Sequence, residues 1–455
     1  MIQKEVDVVV VGAGLTGLTA AFYLKKKGLQ VAVVEKSKRI GGQIQTFHED
    51  GFTFEKGPNT GVISYPEVAE LFQDLAPLCQ LETAKEEAKR RLIWKGKRFH
   101  EIPSSLWGGL STPLFSWPDK FRILGEPFRK VGQDPNESIA DLTRRRLGKS
   151  YLNYAVDPFL SGVYAGNPET LITRFALPKL YNLEQNYGGF IKGALAKAKE
   201  PKTERDRLAT KQVFSAVGGL ESIPKALGEK IGKENIYTKA EHTQVSPIHG
   251  QWTTSFEQAG KPIQITSKQV ITTTGGYTLA ELLTFVEPQL LQAITNLQYA
   301  PVVQVSVGVK DTEGLDFNAF GGLVPSCEKR EVLGILFPAA CFEQRAPENG
   351  ALFSFFIGGV KHANLTELKD QELEDLVIRN FHTMLHFPSS KQPDLIRIFR
   401  HKMAIPQYEI TSKERFEAID LIQQQYKGLH LGGNIRGGIG MADRIRQGVQ
   451  LAQLK

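Results

Sequence analysis

The chain has 455 residues, 41% hydrophobic and 23% charged, with 43 glycines, 23 prolines and 3 cysteines. That is enough for two or three domains with buried cores, and it excludes collagen-like, disordered and disulfide-stapled classes. Its 56 basic and 49 acidic side chains leave a formal charge of +7, a mild bias towards anionic lipid or ligand, but no zinc-finger spacing, aromatic-basic sheet motif or basic tail makes nucleic acid an expected partner. Cys79, Cys327 and Cys341 form no C-x-x-C pair, which suits a reducing compartment, small core positions and no zinc site. No apolar run reaches the roughly 18 residues of a membrane span, and the first strand begins too early for a cleaved presequence. A cytoplasmic location is the resulting expectation.

Residues 6–11, Val-Asp-Val-Val-Val-Val, form the β-branched run of a strand buried on both faces of a parallel sheet. Gly12, Gly14 and Gly17 follow it in the spacing G-x-G-x-x-G, with Ala13, Leu15 and Thr16 between them. The first glycine permits a tight turn, the second lets backbone approach a pyrophosphate, and the third lets helix and strand pack closely. A helix is predicted over 15–27, its amide-rich start aimed at the phosphates and its end marked by Gly28. Val31 to Val34 make the second strand. Glu35, followed by Lys36, then stands where an acid accepts hydrogen bonds from a ribose diol. The doublet Gly41-Gly42 with Gln43, and the stretch Glu55-Lys56-Gly57-Pro58-Asn59-Thr60, have no use in a simple NAD domain and favour FAD.

Further along, Arg91 ends the basic run Lys89-Arg90-Arg91, which suits either a solvated face or a carboxylate ligand. Trp107, Phe115 and Trp117, close to Lys120, Arg122, Arg129 and Lys130, suit either an interfacial membrane anchor or packing inside a helical domain. Residues 192–211 read as a solvated loop. Leu323, Leu336 and Phe356 lie in strand-like runs, where they fit ordinary core or the walls of a flat apolar pocket. His382 and His386 share i, i+4 spacing, but Thr383 stands where a zinc protease needs glutamate. Leu429 to Leu431 read as a strand, followed by a glycine loop that includes Gly433 and by a helix through Ala452. The amides of Ile439, Gly440 and Met441 at that helix start suit the electron-rich end of a flavin. Asp443 and Arg444 read as first-turn and surface charges.

Gly12 to Gly17, Glu35, the turn Arg39-Ile-Gly-Gly-Gln43 and Gly57-Pro-Asn-Thr60 resemble the FAD-binding amine oxidase and phytoene desaturase superfamily. Four stretches, 157–166, 183–189, 333–337 with 345–347 and 355–359, and 405–408, resemble the protoporphyrinogen oxidase family more narrowly. The resemblance implies an α/β fold. A Rossmann-like FAD-binding domain would span 1–87, 213–300 and 413–455, a mixed-sheet substrate domain 88–103, 174–212 and 301–412, and a helical insertion 104–173.

The same resemblance implies FAD on the segments above, with His242 beside the adenine, and a tetrapyrrole held by Leu323, Leu336 and Phe356. Arg91 would meet a propionate and Asn59 would face flavin and substrate, with no metal and no catalytic side chain, the flavin doing the chemistry. The implied reaction is oxidation of protoporphyrinogen IX to protoporphyrin IX in heme biosynthesis, in three two-electron steps with oxygen reduced to hydrogen peroxide. The alternatives are a coproporphyrinogen III oxidase of the same fold and a flavin-binding heme-pathway protein without turnover. Peripheral contact with the cytoplasmic face of a membrane and handover of product to a ferrochelatase complete the expectations.

Overall fold

The first strand, Ile2–Val11, is the centre of a seven-stranded sheet in a computed structural model that describes residues 2–453. Met1, Leu454 and Lys455, the ends of the expected nucleotide domain, lie outside the described residues. Val31–Val34 and Lys261–Thr272 flank the first strand in parallel, and Leu429–Leu431 adds in parallel at Val270 to Thr272. Valine side chains of residues 8–11 alternate between two apolar cores, which is why those four positions carry no polar residue. Val8 and Val10 meet the helices Leu15–Lys26, Ser222–Ile231 and Met441–Leu451 on one face, while Val9 and Val11 meet Pro288–Thr295 and Ser412–Gln425 on the other.

A second seven-stranded sheet runs in the order Leu395–Pro406, Tyr299–Val309, Ala351–Gly358, Val332–Leu336, Gly321–Leu323, Arg91–Lys95, Arg98–Glu101. One face is sealed by the helix Asp370–Leu385, with Val303, Val305, Phe353, Phe355 and Ile335 packed against Leu373, Val377 and Phe381. The other face turns towards the nucleotide domain, and Gln304 Nε2 donates to the Glu55 carbonyl at 2.6 Å across the junction.

Between residues 104 and 208 the chain is mainly helical. The segment 174–212, expected with the substrate sheet, contributes no strand to it; helices Pro178–Tyr187 and Phe190–Ala198 are joined instead to residues 126–146. A buried ion network holds them there. Arg146 Nε donates to Glu184 at 2.6 Å, Arg146 also pairs with Glu126, and Glu126 accepts the first amides of Phe190–Ala198. The stretch 192–211 is correspondingly not a plain loop: it continues that helix and adds Glu204–Arg207 behind a Thr203–Asp206 capping box.

Candidate active site

Close packing explains the spacing of the first glycine loop. A Cβ on Gly17 would sit 2.0 Å from the Gly12 carbonyl oxygen, whereas a Cβ on Gly14 would meet nothing within 4 Å. Gly14 therefore fronts open space at the start of helix Leu15–Lys26, the cradle a pyrophosphate requires. In the same turn Thr16 Oγ1 is buried without a partner, a polar atom awaiting a ligand. Glu35 is fixed beside the loop, accepting from the Ala13 amide at 2.7 Å and the Ser37 amide at 2.8 Å, with lone pairs left for a ribose. Lys36 is exposed, and the backbone of residues 237–240 runs alongside Glu35 through hydrogen bonds from Glu35 to Tyr237 and from Ala240 to Glu35. His242 lies just beyond, exposed, with φ 52°.

The turn at Gly42 touches this loop, and Arg39 fastens it by donating to the carbonyls of Ile40, Gly42 and Ile44. Gln43 is exposed and reaches the Met403 carbonyl, and Gly57 passes so close that a Cβ would lie 2.2 Å from the Gln43 carbonyl oxygen. Pro58 and Thr60 are half-buried, while Asn59 is buried, donating to the Gly57 carbonyl at 3.1 Å and accepting from Ser354 Oγ at 2.8 Å. Asn59 thus joins the nucleotide segment to the second sheet.

Helix Met441–Leu451 packs against the short strand Gly61–Val62 directly after Thr60, which brings the two segments together. Of the three amides expected to face a cofactor there, that of Gly440 is taken by Asp443 Oδ2 at 3.0 Å, the acid acting as an N-terminal cap. The Ile439 and Met441 amides have no acceptor among the described residues. Gly433 serves the loop's shape, its amide donating to Gln447 Oε1 at 2.8 Å and its carbonyl accepting from Arg444. An open glycine, an orphaned hydroxyl, a ribose-type acid and two unpaired amides along one path fit FAD.

The predicted substrate residues come together through strand register. Arg91 pairs with Gly321, Gly321 with Leu336, and Leu336 with Ser354, forming one cross-strand row. Two residues along, Ile93, Leu323, Gly334 and Phe356 form the next row on the same face. Gly321 and Gly334 leave the centre of this floor without side chains. Around it stand Leu336, Leu323 and Phe356, all half-buried, while their strand neighbours Ile335 and Phe355 are buried in the helix-sealed core. Ser354, at the end of the first row, holds Asn59.

The helix Asp157–Val163, part of the first family-like stretch, borders the same floor, since a Cβ on Gly162 would lie 2.4 Å from Leu323 Cδ2. Arg91 is exposed, and its guanidinium makes no ion pair or hydrogen bond among the described residues and lies over the Phe320 ring at 5.8 Å. It lines a cavity of about 270 Å³ with Lys85, Lys89, Lys211 and Phe320. Lys85 and Lys89 are paired with Glu343 and Glu86. Burial, reinforced by Lys179 and Lys202, lowers the pKa of Lys211. The arrangement can seat a flat apolar ring with a carboxylate at the arginine end.

Sequence reasoning missed Ser354, Gln304, and the glycines Gly321 and Gly334. Alternation within each strand was the available signal, but the bulge between Val332 and Gly334 interrupts it. Of the three cysteines expected in the core, Cys79 and Cys341 are buried and Cys327 is exposed.

Residues 15–454 match the family described as flavin containing amine oxidoreductase. Protoporphyrinogen oxidase 1 of Arabidopsis thaliana chloroplasts is 30% identical over 465 residues, 96% of this chain and 85% of the relative. Coproporphyrinogen III oxidase of Bacillus subtilis is 23% identical over 470 residues, 98% of this chain and 97% of the relative. A crystal structure from Exiguobacterium sp. 255-15 shares the fold with a TM-score of 0.80 and 21% identity, covering 99% of this chain and 98% of its own. Reduced UDP-galactopyranose mutase also shares it, with a TM-score of 0.74 at 16% identity, covering 98% and 94%, so the fold alone does not select a substrate. The glycine cradle, the ribose-type acid and the family match over nearly the whole chain agree: the chain belongs to the flavin containing amine oxidoreductases and is an FAD-dependent oxidoreductase.

Proposed function

We propose that the chain oxidises a porphyrinogen in heme biosynthesis, with protoporphyrinogen IX as substrate and protoporphyrin IX as product. The observation that carries this reading is the floor of the second sheet, where Arg91, Leu336, Leu323 and Phe356 share one face and Asn59 joins it through Ser354. The names of the full-length relatives support it. FAD held by the glycine cradle, Glu35 and the Met441–Leu451 helix start would supply the hydride acceptor for three two-electron oxidations, with oxygen as the final acceptor and hydrogen peroxide as by-product. Leu323, Leu336 and Phe356 clamp the macrocycle and exclude water, and Arg91 anchors a propionate through a charge-assisted fork. Asn59, held by Ser354 and the Gly57 carbonyl, keeps the cofactor segment in register with the floor.

The cations beside Arg91 favour a second reading, coproporphyrinogen III, which carries two more carboxylates. Aerobic turnover of the purified flavoprotein with both porphyrinogens in parallel, followed by porphyrin fluorescence, separates them. Faster turnover of protoporphyrinogen supports the first reading, and faster turnover of coproporphyrinogen replaces it. Protein that holds FAD and oxidises neither is a flavin-binding protein of another kind.

Attachment to the surface of an anionic membrane is part of this proposal. No described helix is long and apolar enough to cross a bilayer. The helix Trp117–Leu124 has no buried residue, and Trp107, Trp117, Phe121, Leu124 and Phe128 are all exposed, Phe128 by 85%. Phe115 is buried, stacked on Tyr151, and takes no part. Lys120 lies over Trp117 and Lys192 over Phe128, an apolar surface carrying cations that suits lipid headgroups. Wild type should float with phosphatidylglycerol vesicles and Trp107→Ala/Trp117→Ala should not; wild type remaining at the bottom overturns the attachment. Handover to a ferrochelatase belongs to the same proposal and rests on the family resemblance.

A further inference from the structure

Arg444 stands in the first turn of helix Met441–Leu451, where a surface charge was expected. Instead its guanidinium folds back into the glycine loop. Nη1 donates to the Gly433 carbonyl and to Gln447 Oε1, and Nη2 donates to the carbonyls of Arg436, Gly437 and Gly438, each at 2.9 Å. It forms no ion pair among the described residues, Asp443 acting on it only through space, and its Nε is buried without a partner. Gly433, Gly437 and Gly438 all have φ between 79° and 97°, the left-handed turn that allows successive carbonyls to face one cation. Tyr408 clasps the same loop from the insertion side, accepting from the Gly438 amide at 2.9 Å and donating to its carbonyl at 3.2 Å.

Tying the loop carbonyls to one side has a consequence on the other. The residues that follow the gathered carbonyls are Ile439 and Met441, whose amides have no acceptor among the described residues and stand at the start of the helix that packs against Gly61–Val62. We infer that Arg444 is a positioning residue for the flavin: it holds this loop in the one shape that presents the two amides, and its charge stabilises the anionic, reduced form of the cofactor. This rests on the FAD reading and extends it to how the protein sets the cofactor's redox poise. The physical basis is that amide dipoles and a poorly solvated cation act most strongly where negative charge develops.

Arg444→Gln and Arg444→Lys separate charge from mere structure. The readouts are FAD affinity, from quenching of free FAD fluorescence on addition to apoprotein, and the midpoint potential of the bound flavin by dye-coupled reduction. Arg444→Gln should weaken FAD binding about tenfold and shift the potential in the negative direction, meaning that reduced flavin loses more affinity than oxidised flavin. Arg444→Lys, which keeps the charge but not the fork, should weaken FAD binding while returning most of the potential. Wild-type potential in Arg444→Gln overturns the proposal. Wild-type protein that binds no FAD overturns the flavin reading and this proposal with it, whereas normal wild-type binding with equal potentials in all three proteins overturns this proposal alone.

Discussion

The two faces of the second sheet are made by the same strands and differ in almost everything else. On one face Phe353 is wholly buried among Phe317, Phe337, Phe381 and Phe387, a closed aromatic cluster under the helix Asp370–Leu385. On the other, three residues along, Phe356 is half-buried opposite Gly334, with Leu336 and Leu323 around the same floor. Apolar character alone does not distinguish them; what differs is that Leu323, Leu336 and Phe356 stay half-buried beside glycines, whereas Ile335, Phe353 and Phe355 are fully enclosed. The closed face contributes stability, and in the function proposed above the half-buried side chains of the other face meet the flat substrate.

That contrast is broken most severely by truncating the closed face. Phe353→Ala should lower the unfolding free energy by about 3–5 kcal/mol, measured by urea titration, because both transfer energy and packing are lost. Phe356→Ala should instead keep FAD and most of its stability and lose turnover. An unfolded or FAD-free Phe356→Ala protein would show that both faces are core.

The next largest effect is expected at the polar end of the open face. Arg91→Ala removes an unpaired guanidinium, so KM for the porphyrinogen should rise by a factor corresponding to about 1.5–3 kcal/mol while FAD affinity stays unchanged. An unchanged KM would remove Arg91 from the site.

A smaller effect concerns the junction between the open face and the nucleotide segment. Burial pushes the Glu55 carboxyl up to about 7, against the opposing pull of the Leu220 amide, the Thr46 hydroxyl and Arg345. Because its folded value lies above its ordinary one of 4.5, the protonated form favours the fold, and this contribution is present below that value and lost as pH rises through about 7. The melting temperature of wild type should therefore fall between pH 5 and pH 8 relative to that of Glu55→Gln. Parallel profiles for the two proteins would contradict the buried-acid account.

The nucleotide half was far more legible in the sequence than the site it serves. Strand, glycine spacing, helix and acid are consecutive, so local sequence carried them: the strand Val31–Val34 and the strand Leu429–Leu431 stand where their apolar runs predicted them. The open face is assembled from strands more than two hundred residues apart, and which side Leu336 or Phe356 takes depends on a register that a bulge resets. The family resemblance named these residues, but only the pairing explains why they share one face. The contacts of 174–212 were hidden for a similar reason, since the charges joining Glu184 to Arg145 and Arg146 are distant in sequence. Arg444 looked like any first-turn cation because nothing in a sequence shows a side chain turning back upon its own loop.

The most direct test of the contrast between the faces is anaerobic mixing of the FAD-loaded protein with protoporphyrinogen IX while the oxidised flavin absorbance is followed. Wild type should bleach rapidly, and Phe356→Ala, carrying the same amount of FAD, should bleach at least tenfold more slowly at the same substrate concentration. Equal bleaching by the two proteins, or no bleaching by wild type, would contradict the assignment of the open face as the porphyrinogen site.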